Sequence, residues 1–207
     1  FRSRAQAVEE LKRIVRDMHD HSAILPHVLQ FISFLNNLMD DSNFKITTVT
    51  LEILGILVMK LQMGIKPHLK PMVLTLTKRM GDNKIVICQA IMKVVIQLMQ
   101  ILSPSPVLTV ICDNLSHRNS RVRQETLNII IASLLTFPSY DFELGSLCKV
   151  IAPTLVDSKR QVRQAALECF AVLAQEMGAG KLQPLVKAVD NVEVSCDSEG
   201  VMGAVQA

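Results

Sequence analysis

The sequence predicts an all-α fold, an α-solenoid of about five to six two-helix repeats in which the first repeat is incomplete. Three observations carry that expectation. A short motif recurs at intervals close to 40 residues. The segments that carry it place apolar residues at helical spacing. The chain of 207 residues is 49% hydrophobic yet only 4% aromatic, with no Trp. Leu, Ile, Val, Ala and Met must therefore fill the core, which suits packed helices better than a sandwich or barrel.

Four segments align: DSNFKITTVTLEIL (41–54), GDNKIVICQAIMKV (81–94), HRNSRVRQETLNII (117–130) and DSKRQVRQAALECF (157–170). Each opens on a polar turn and then has an aliphatic residue: Ile46, Val86, Val122 and Val162. A small or short residue follows four places on (Thr50, Ala90, Thr126, Ala166) and an apolar one at the fifth (Leu51, Ile91, Leu127, Leu167). The intervals are 40, 36 and 40 residues. A fifth copy, FRSRAQAVEELKRI (1–14), puts Gln6 in register and Leu11 at the apolar place. A period near 40 with two helices per unit is the HEAT and armadillo range.

The remaining helices complete the pairs. One is expected over 25–39 with Pro26 at its start, and one over 67–79 with Pro67 and Pro71 in or near the first turn. A missing N–H does little harm there. A third spans 105–115, again with an early Pro106. A fourth spans 142–156, where the interior Pro153 predicts a kink or an early stop. A last helix covers 181–189, and 192–207 reads as a capping or tail segment. In 159–177, Val162, Ala165, Ala166, Cys169, Phe170, Val172, Leu173 and Met177 make a broad apolar face. Lys159, Arg160, Gln164, Glu168 and Gln175 stay outside it. Such a helix must pack on both neighbours, as stacked repeats do. No linker splits the chain, so residues 1–207 are expected to form a single domain.

The totals exclude several function classes. Lys and Arg number 22 against 19 Asp and Glu, a net charge of +3. That is too weak a bias to point to nucleic acid. The unbroken apolar runs are short, so no membrane span is expected. The first residues mix Arg, Glu and Lys and do not read as a signal peptide. Five scattered Cys (88, 112, 148, 169, 196), with no CxxC pair, read as small hydrophobes in a reducing compartment. Met59, Met63, Met92 and Met99 read as core filler. His19, Asp20 and His21 are adjacent and better suited to a solvated turn than to a metal. No phosphate loop, nucleophile elbow or HExxH is present, so neither enzyme activity nor a cofactor or metal is expected.

The form D-x-x-x-x-V-R-x-x-A-x-x-x-F, complete at Asp157, Val162, Arg163, Ala166 and Phe170, resembles the HEAT consensus. The order of the turns is more telling. Phe1, Arg2 and Arg4 stand in the first turn, followed by SNFK (42–45), DNK (82–84), HRNSR (117–121) and DSKRQ (157–161). With them the sequence resembles a TOG domain, the tubulin-binding HEAT array of microtubule regulators. The runs RNSRVRQETLN and LVDSKRQVRQAALECFAVLAQEMG are most similar to the crescerin type, associated with ciliary microtubules. Two departures stand out. The first-turn aromatic is Phe where many TOG domains carry Trp, and the helix that should precede it is absent. The chain is therefore expected to be part of a longer multi-TOG protein.

The resemblance implies a site on the turns. It would comprise Phe1 and Arg2; Asn43, Phe44 and Lys45; Asn83 and Lys84; Arg118, Asn119 and Arg121; Lys159 and Arg160. Their expected partner is αβ-tubulin or the microtubule lattice, with no nucleic acid, no membrane and a monomeric domain. The implied setting is the cytoplasm and cytoskeleton, in the cilium or axoneme. Plainer readings stand beside this one. A lone turn cation is usually a solvated charge. Phe1 and Phe44 could be staples under their own helices. Asn43, Asn83 and Asn119 are expected helix N-caps first. Arg123, Arg163 and Asp157 are expected to make structural bonds within the repeat. A generic HEAT-repeat protein–protein scaffold is the alternative function.

Overall fold

The computed structural model describes residues 2–20, 22–196 and 200–206. Among them every regular element is helical, and the structure is the expected all-α repeat fold. The chain divides into two compact units, Phe1–Val110 and Ile111–Ala207.

The first unit contains α1 (Arg2–Asp17), α2 (Val28–Leu38), α3 (Phe44–Leu61), α4 (Leu69–Met80) and α5 (Ile85–Leu102). Helix α3 packs between α1 and α5, while α2 lies on α4 and these two back α3 and α5. The sandwiching explains why α3 is apolar nearly all round. Ile46, Val49, Leu51, Ile53, Leu54, Leu57, Val58 and Leu61 are all buried. Helix α5 corrects one expectation: with mean hydropathy 2.0 over 18 residues, it is long and apolar enough to cross a membrane by length and composition. The single charge of Lys93 interrupts its apolar run without lowering the average much. Its Ile87, Ile91, Val94, Val95, Leu98, Met99 and Leu102 are buried within the protein instead.

Helix α6 (Pro104–Ile111) ends at the boundary of the units. The second unit continues with α7 (Ser120–Thr136), α8 (Leu144–Ile151), α9 (Arg160–Met177), α10 (Gln183–Cys196) and α11 (Val201–Gln206). Helix α7 packs on α9, and α10 and α11 close against α8 and α9. Helix α8 stops at Ile151, and the chain runs on as a 3-10 turn over Ala152–Val156 that holds Pro153. That is the early stop expected there.

The first helix of each pair is shorter than its sequence window, because a 3-10 turn adjoins it: Leu25–His27, Gln62–His68 and Cys112–Ser116. Helix α10 runs past the expected end to Cys196, since Leu185, Ala188, Val189 and Val192 keep one buried stripe through it.

Four core assignments change. Val86 is 54% exposed, and the buried residue of that repeat is Ile87. The true intervals are 41 (46 to 87), 35 (87 to 122) and 40 (122 to 162). In α1 the buried residues are Val8 and Val15, with Gln6 exposed. Met59 and Met63 are exposed while Met99 is buried. Cys148 and Cys169 are buried as expected, but Cys196 is exposed. Burial pushes the Cys112 thiol up to about 12 and the Cys148 thiol to about 11, which leaves both protonated and unreactive at neutral pH.

Candidate functional site at the helix-starting turns

The four repeat turns share one construction. A side chain two residues before the N-cap accepts the N-cap's own N–H. Asp41 takes it from Asn43 at 2.8 Å, Asp82 from Lys84 at 2.8 Å, His117 Nδ1 from Asn119 at 3.1 Å and Asp157 from Lys159 at 2.8 Å. Asn43 and Asn119 then cap, accepting from the Lys45 and Arg121 amides at 3.1 and 3.0 Å. Asn83 does not cap as expected. The N-cap of α5 is Lys84, without a side-chain cap bond, and Asp82 upstream supplies the acceptor. The third helical residue is then the buried one: Ile46, Ile87, Val122 or Val162.

Guanidinium groups tie successive turns together inside each unit. In the first unit, Arg79 grips Asp82 at 2.6 Å and donates to the Met39 carbonyl at 3.2 Å. Arg4 reaches Asp41 at 2.9 Å. In the second, Arg123 grips both oxygens of Asp157 at 2.7 and 2.8 Å and donates to the His117 carbonyl at 2.7 Å. The Arg123 hydrogen bonds hold the Asp157 carboxyl below the ordinary carboxylate range. Partial burial pushes the Asp82 carboxyl up, but the Lys84 amide and Arg79 outweigh it and hold it low. The structural role expected for Arg123, Arg163 and Asp157 is present with one change of partner. Arg163 bonds the Asp157 carbonyl at 2.7 Å, while the carboxylate belongs to Arg123 of the preceding repeat.

What these frames present outward differs between the units. In the first, Phe44 is 45% exposed rather than tucked under α3, and Lys84 Nζ lies 5.4 Å from its ring centroid. Lys45 and Asn83 are exposed and Asn43 is half-buried. Ile85 and Val86 beside Lys84 are 71% and 54% exposed. The repeat alignment puts Val86 in the core and gives Ile85 no role, so neither is among the expected site residues. In the second unit, Arg118, Asn119, Arg121, Lys159 and Arg160 are all exposed. Phe1 lies outside the described residues, as does the side chain of Arg2, whose backbone begins α1.

The cations are placed where folding disfavours them. Lys45, Arg121 and Arg160 lie in the first turns of α3, α7 and α9, and Lys84 and Lys159 are N-caps. The positive end of the helix dipole costs a cation there about 0.3–1 kcal/mol. None of these four helices has an acidic residue in its first turn. Among the described residues, Lys45, Arg118, Arg121, Lys159 and Arg160 make no ion pair. Ile85 and Phe44, 71% and 45% exposed, leave apolar surface in water beside these cations.

Residues 1–195 match the sequence profile of the family described as "XMAP215/Dis1/CLASP, TOG domain". The chain belongs to the TOG-domain family. This TOG chain is 49% identical over 207 residues to TOG array regulator of axonemal microtubules protein 1 of Mus musculus, covering 100% of the chain and 12% of that protein. It is 32% identical over 206 residues to crescerin-like protein che-12 of Caenorhabditis elegans, covering 99% of the chain and 16% of that protein. A solved structure described as "Crescerin uses a TOG domain array to regulate microtubules in the primary cilium" superposes with a TM-score of 0.92 at 50% identity. That match covers 99% of the TOG chain and 83% of the other. The chain thus spans a small part of the relatives' length.

Proposed function

We propose that this TOG chain is a non-enzymatic module that binds αβ-tubulin through its helix-starting turns and regulates microtubule dynamics in cilia. The observation that carries the reading is the set of exposed first-turn and N-cap cations, placed against their helix dipoles, with the apolar surface of Phe44 and Ile85 among them. A contact with an acidic protein gives them a role. The cations would steer encounter and set register, while the apolar group around Phe44 would anchor the complex, at about 2 kcal/mol or more for a fully covered aromatic. The relatives' descriptions, which concern axonemal microtubules and the primary cilium, favour tubulin over the generic scaffold and support a cytoskeletal, ciliary setting. The family match across residues 1–195 supports treating 1–207 as a single TOG domain, monomeric within a longer multi-TOG chain. Nucleic acid and membrane are not part of the proposed partner set.

Size-exclusion chromatography of the chain with free αβ-tubulin at low salt, paired with microtubule co-pelleting, tests the proposal. Association in at least one assay is expected. Phe44→Ala with Ile85→Ser should weaken it about tenfold or more without loss of helicity by circular dichroism. Neither co-migration nor co-pelleting by the unaltered chain would sink the proposal. Binding that survives every turn substitution would instead favour a scaffold using another face.

A further inference from the structure

A groove in the first unit runs along α3 between α1 and α5, enclosing about 450 Å³. Leu51, Gly55, Ile56 and Val94 form its floor, and Met59, 45% exposed, forms part of its wall. Between Leu51 and Lys60 the helix rises about 14 Å, the length of about four residues of extended chain. The groove is separate from the turns, since Gly55 lies about 16 Å along α3 from Phe44.

Two features of the groove call for an occupant. The first is an unmet acceptor. Gln97 Oε1 is sealed from solvent and has no hydrogen-bond partner, an unmet acceptor that a turn of the side chain toward a donor in the groove would satisfy. That oxygen packs against Gly55, where a Cβ would stand 2.8 Å from it. The second feature is charge. Arg16, Lys60 and Lys93 rim the groove. The acidic lining residue, Glu52, is already held by Lys12 at 2.8 Å. Lys60 donates to the Met18 carbonyl, an uncharged acceptor, at 2.7 Å. Arg16 and Lys93 make no ion pair among the described residues.

We propose that this groove binds a short extended peptide segment whose acidic side chains flank an apolar one. The cationic rim selects the acids, with Arg16 and Lys93 across the groove from each other on α1 and α5. The apolar floor takes the central side chain, and the Met59 thioether adapts to its shape. Extended backbone is favoured over helix because it leaves N–H groups free for Gln97 Oε1 once that side chain turns into the groove, whereas a helix spends most of its own internally. This inference does not rest on the tubulin-binding reading.

The test uses fluorescein-labelled, end-blocked peptides that alternate Glu and Leu in both registers. Matching peptides with N-methylated backbone amides, and with Lys in place of Glu, serve as comparisons. Fluorescence anisotropy with the full chain should show saturable binding of the Glu peptides. Arg16→Glu with Lys93→Glu should weaken it about tenfold or more. N-methylation should weaken it comparably, and the Gln97 side-chain amide signals should shift by NMR. Lys149→Glu, an exposed cation outside the groove, should leave it unchanged. Arg16 and Lys93 are exposed and Arg16 lies in the last turn of α1, so their reversal should lower the melting temperature only slightly and keep the helicity. The proposal is overturned if no Glu peptide binds saturably, if the Lys peptides bind equally well, or if charge reversal or N-methylation has no effect.

Discussion

Residue-scale chemistry makes the turns rigid, and two side chains show how. Asp157 serves Arg123 and the Lys159 amide at once, and its carboxyl is held below the ordinary range, first by the Arg123 hydrogen bonds. A carboxylate depressed on folding contributes stability above its unfolded pKa, near 4, and loses that contribution as pH falls through the lower folded value. Removing one partner of this largely shielded pair should cost roughly 2–3 kcal/mol at neutral pH. Asp157→Asn should therefore lower the urea midpoint at pH 7 and narrow its gap from the unaltered chain below about pH 4. An equal gap at both pH values would show that the charge is not what matters. The sequence named Asp157, Arg123 and Arg163 as structural but could not say which arginine held the carboxylate, because the partner comes from the preceding repeat. Thr47 is the opposite case. Its hydroxyl is buried without a partner, whereas Thr50 and Thr126 return theirs to carbonyls four residues back at 2.7 and 2.8 Å. Thr47→Val keeps the shape and removes the unmet group, so it should raise stability by about 1 kcal/mol. A loss in chemical denaturation would mean that the hydroxyl has a use.

At the scale of elements, the helices were legible wherever a turn and a buried stripe agreed. Ile46, Val122 and Val162 were placed correctly because one aliphatic residue follows polar ones and then recurs at helical spacing. In the second repeat the start of α5 reads Ile85, Val86, Ile87. Three apolar residues in a row satisfy either register, so periodicity cannot choose. Capping chooses instead: Asp82 takes the Lys84 amide, the helix starts at Ile85, and the third residue, Ile87, turns inward. The two registers make different stability predictions. Ile87→Ala should cost about 2–4 kcal/mol, while Val86→Ala should stay within about 0.5 kcal/mol. Thermal or urea unfolding of the two variants separates them, and the reverse order would restore the interval of 40 from Ile46. The same slip hid Val86 from the candidate site, since a residue assigned to the core is not looked for on a surface. Pro153 was easier, because a ring that removes an N–H and clashes with the preceding turn acts whatever packs around it.

For the whole molecule, the question is whether the turn cations serve the fold or a partner, and the two demands have opposite signs. Each first-turn or N-cap cation works against the dipole of its helix, although Asp41, Asp82 and Asp157 stand two residues ahead of three of the N-caps. Reversing Lys159 and Arg160 to Glu should stabilise the isolated chain modestly, by about 0.3–1 kcal/mol for the pair at low ionic strength because repulsion from Asp157 offsets part of the dipole gain, a gain that shrinks as salt screens it. The same reversal should weaken association with αβ-tubulin, mainly by slowing the on-rate, and again most at low salt. Phe44→Ala should act differently, raising the off-rate with little dependence on salt, because its contribution is burial rather than charge. Melting curves and stopped-flow association on the same protein samples give both signs. A residue present only for solubility would move neither quantity in this pattern. A residue present for folding would lower the melting temperature when reversed. The functional reading requires a chain that becomes more stable as it becomes a poorer binder. Reversal that destabilises the fold, or that leaves the on-rate unchanged at low salt, would remove the turns of the second unit from the proposed interface and leave the apolar group around Phe44 to carry it.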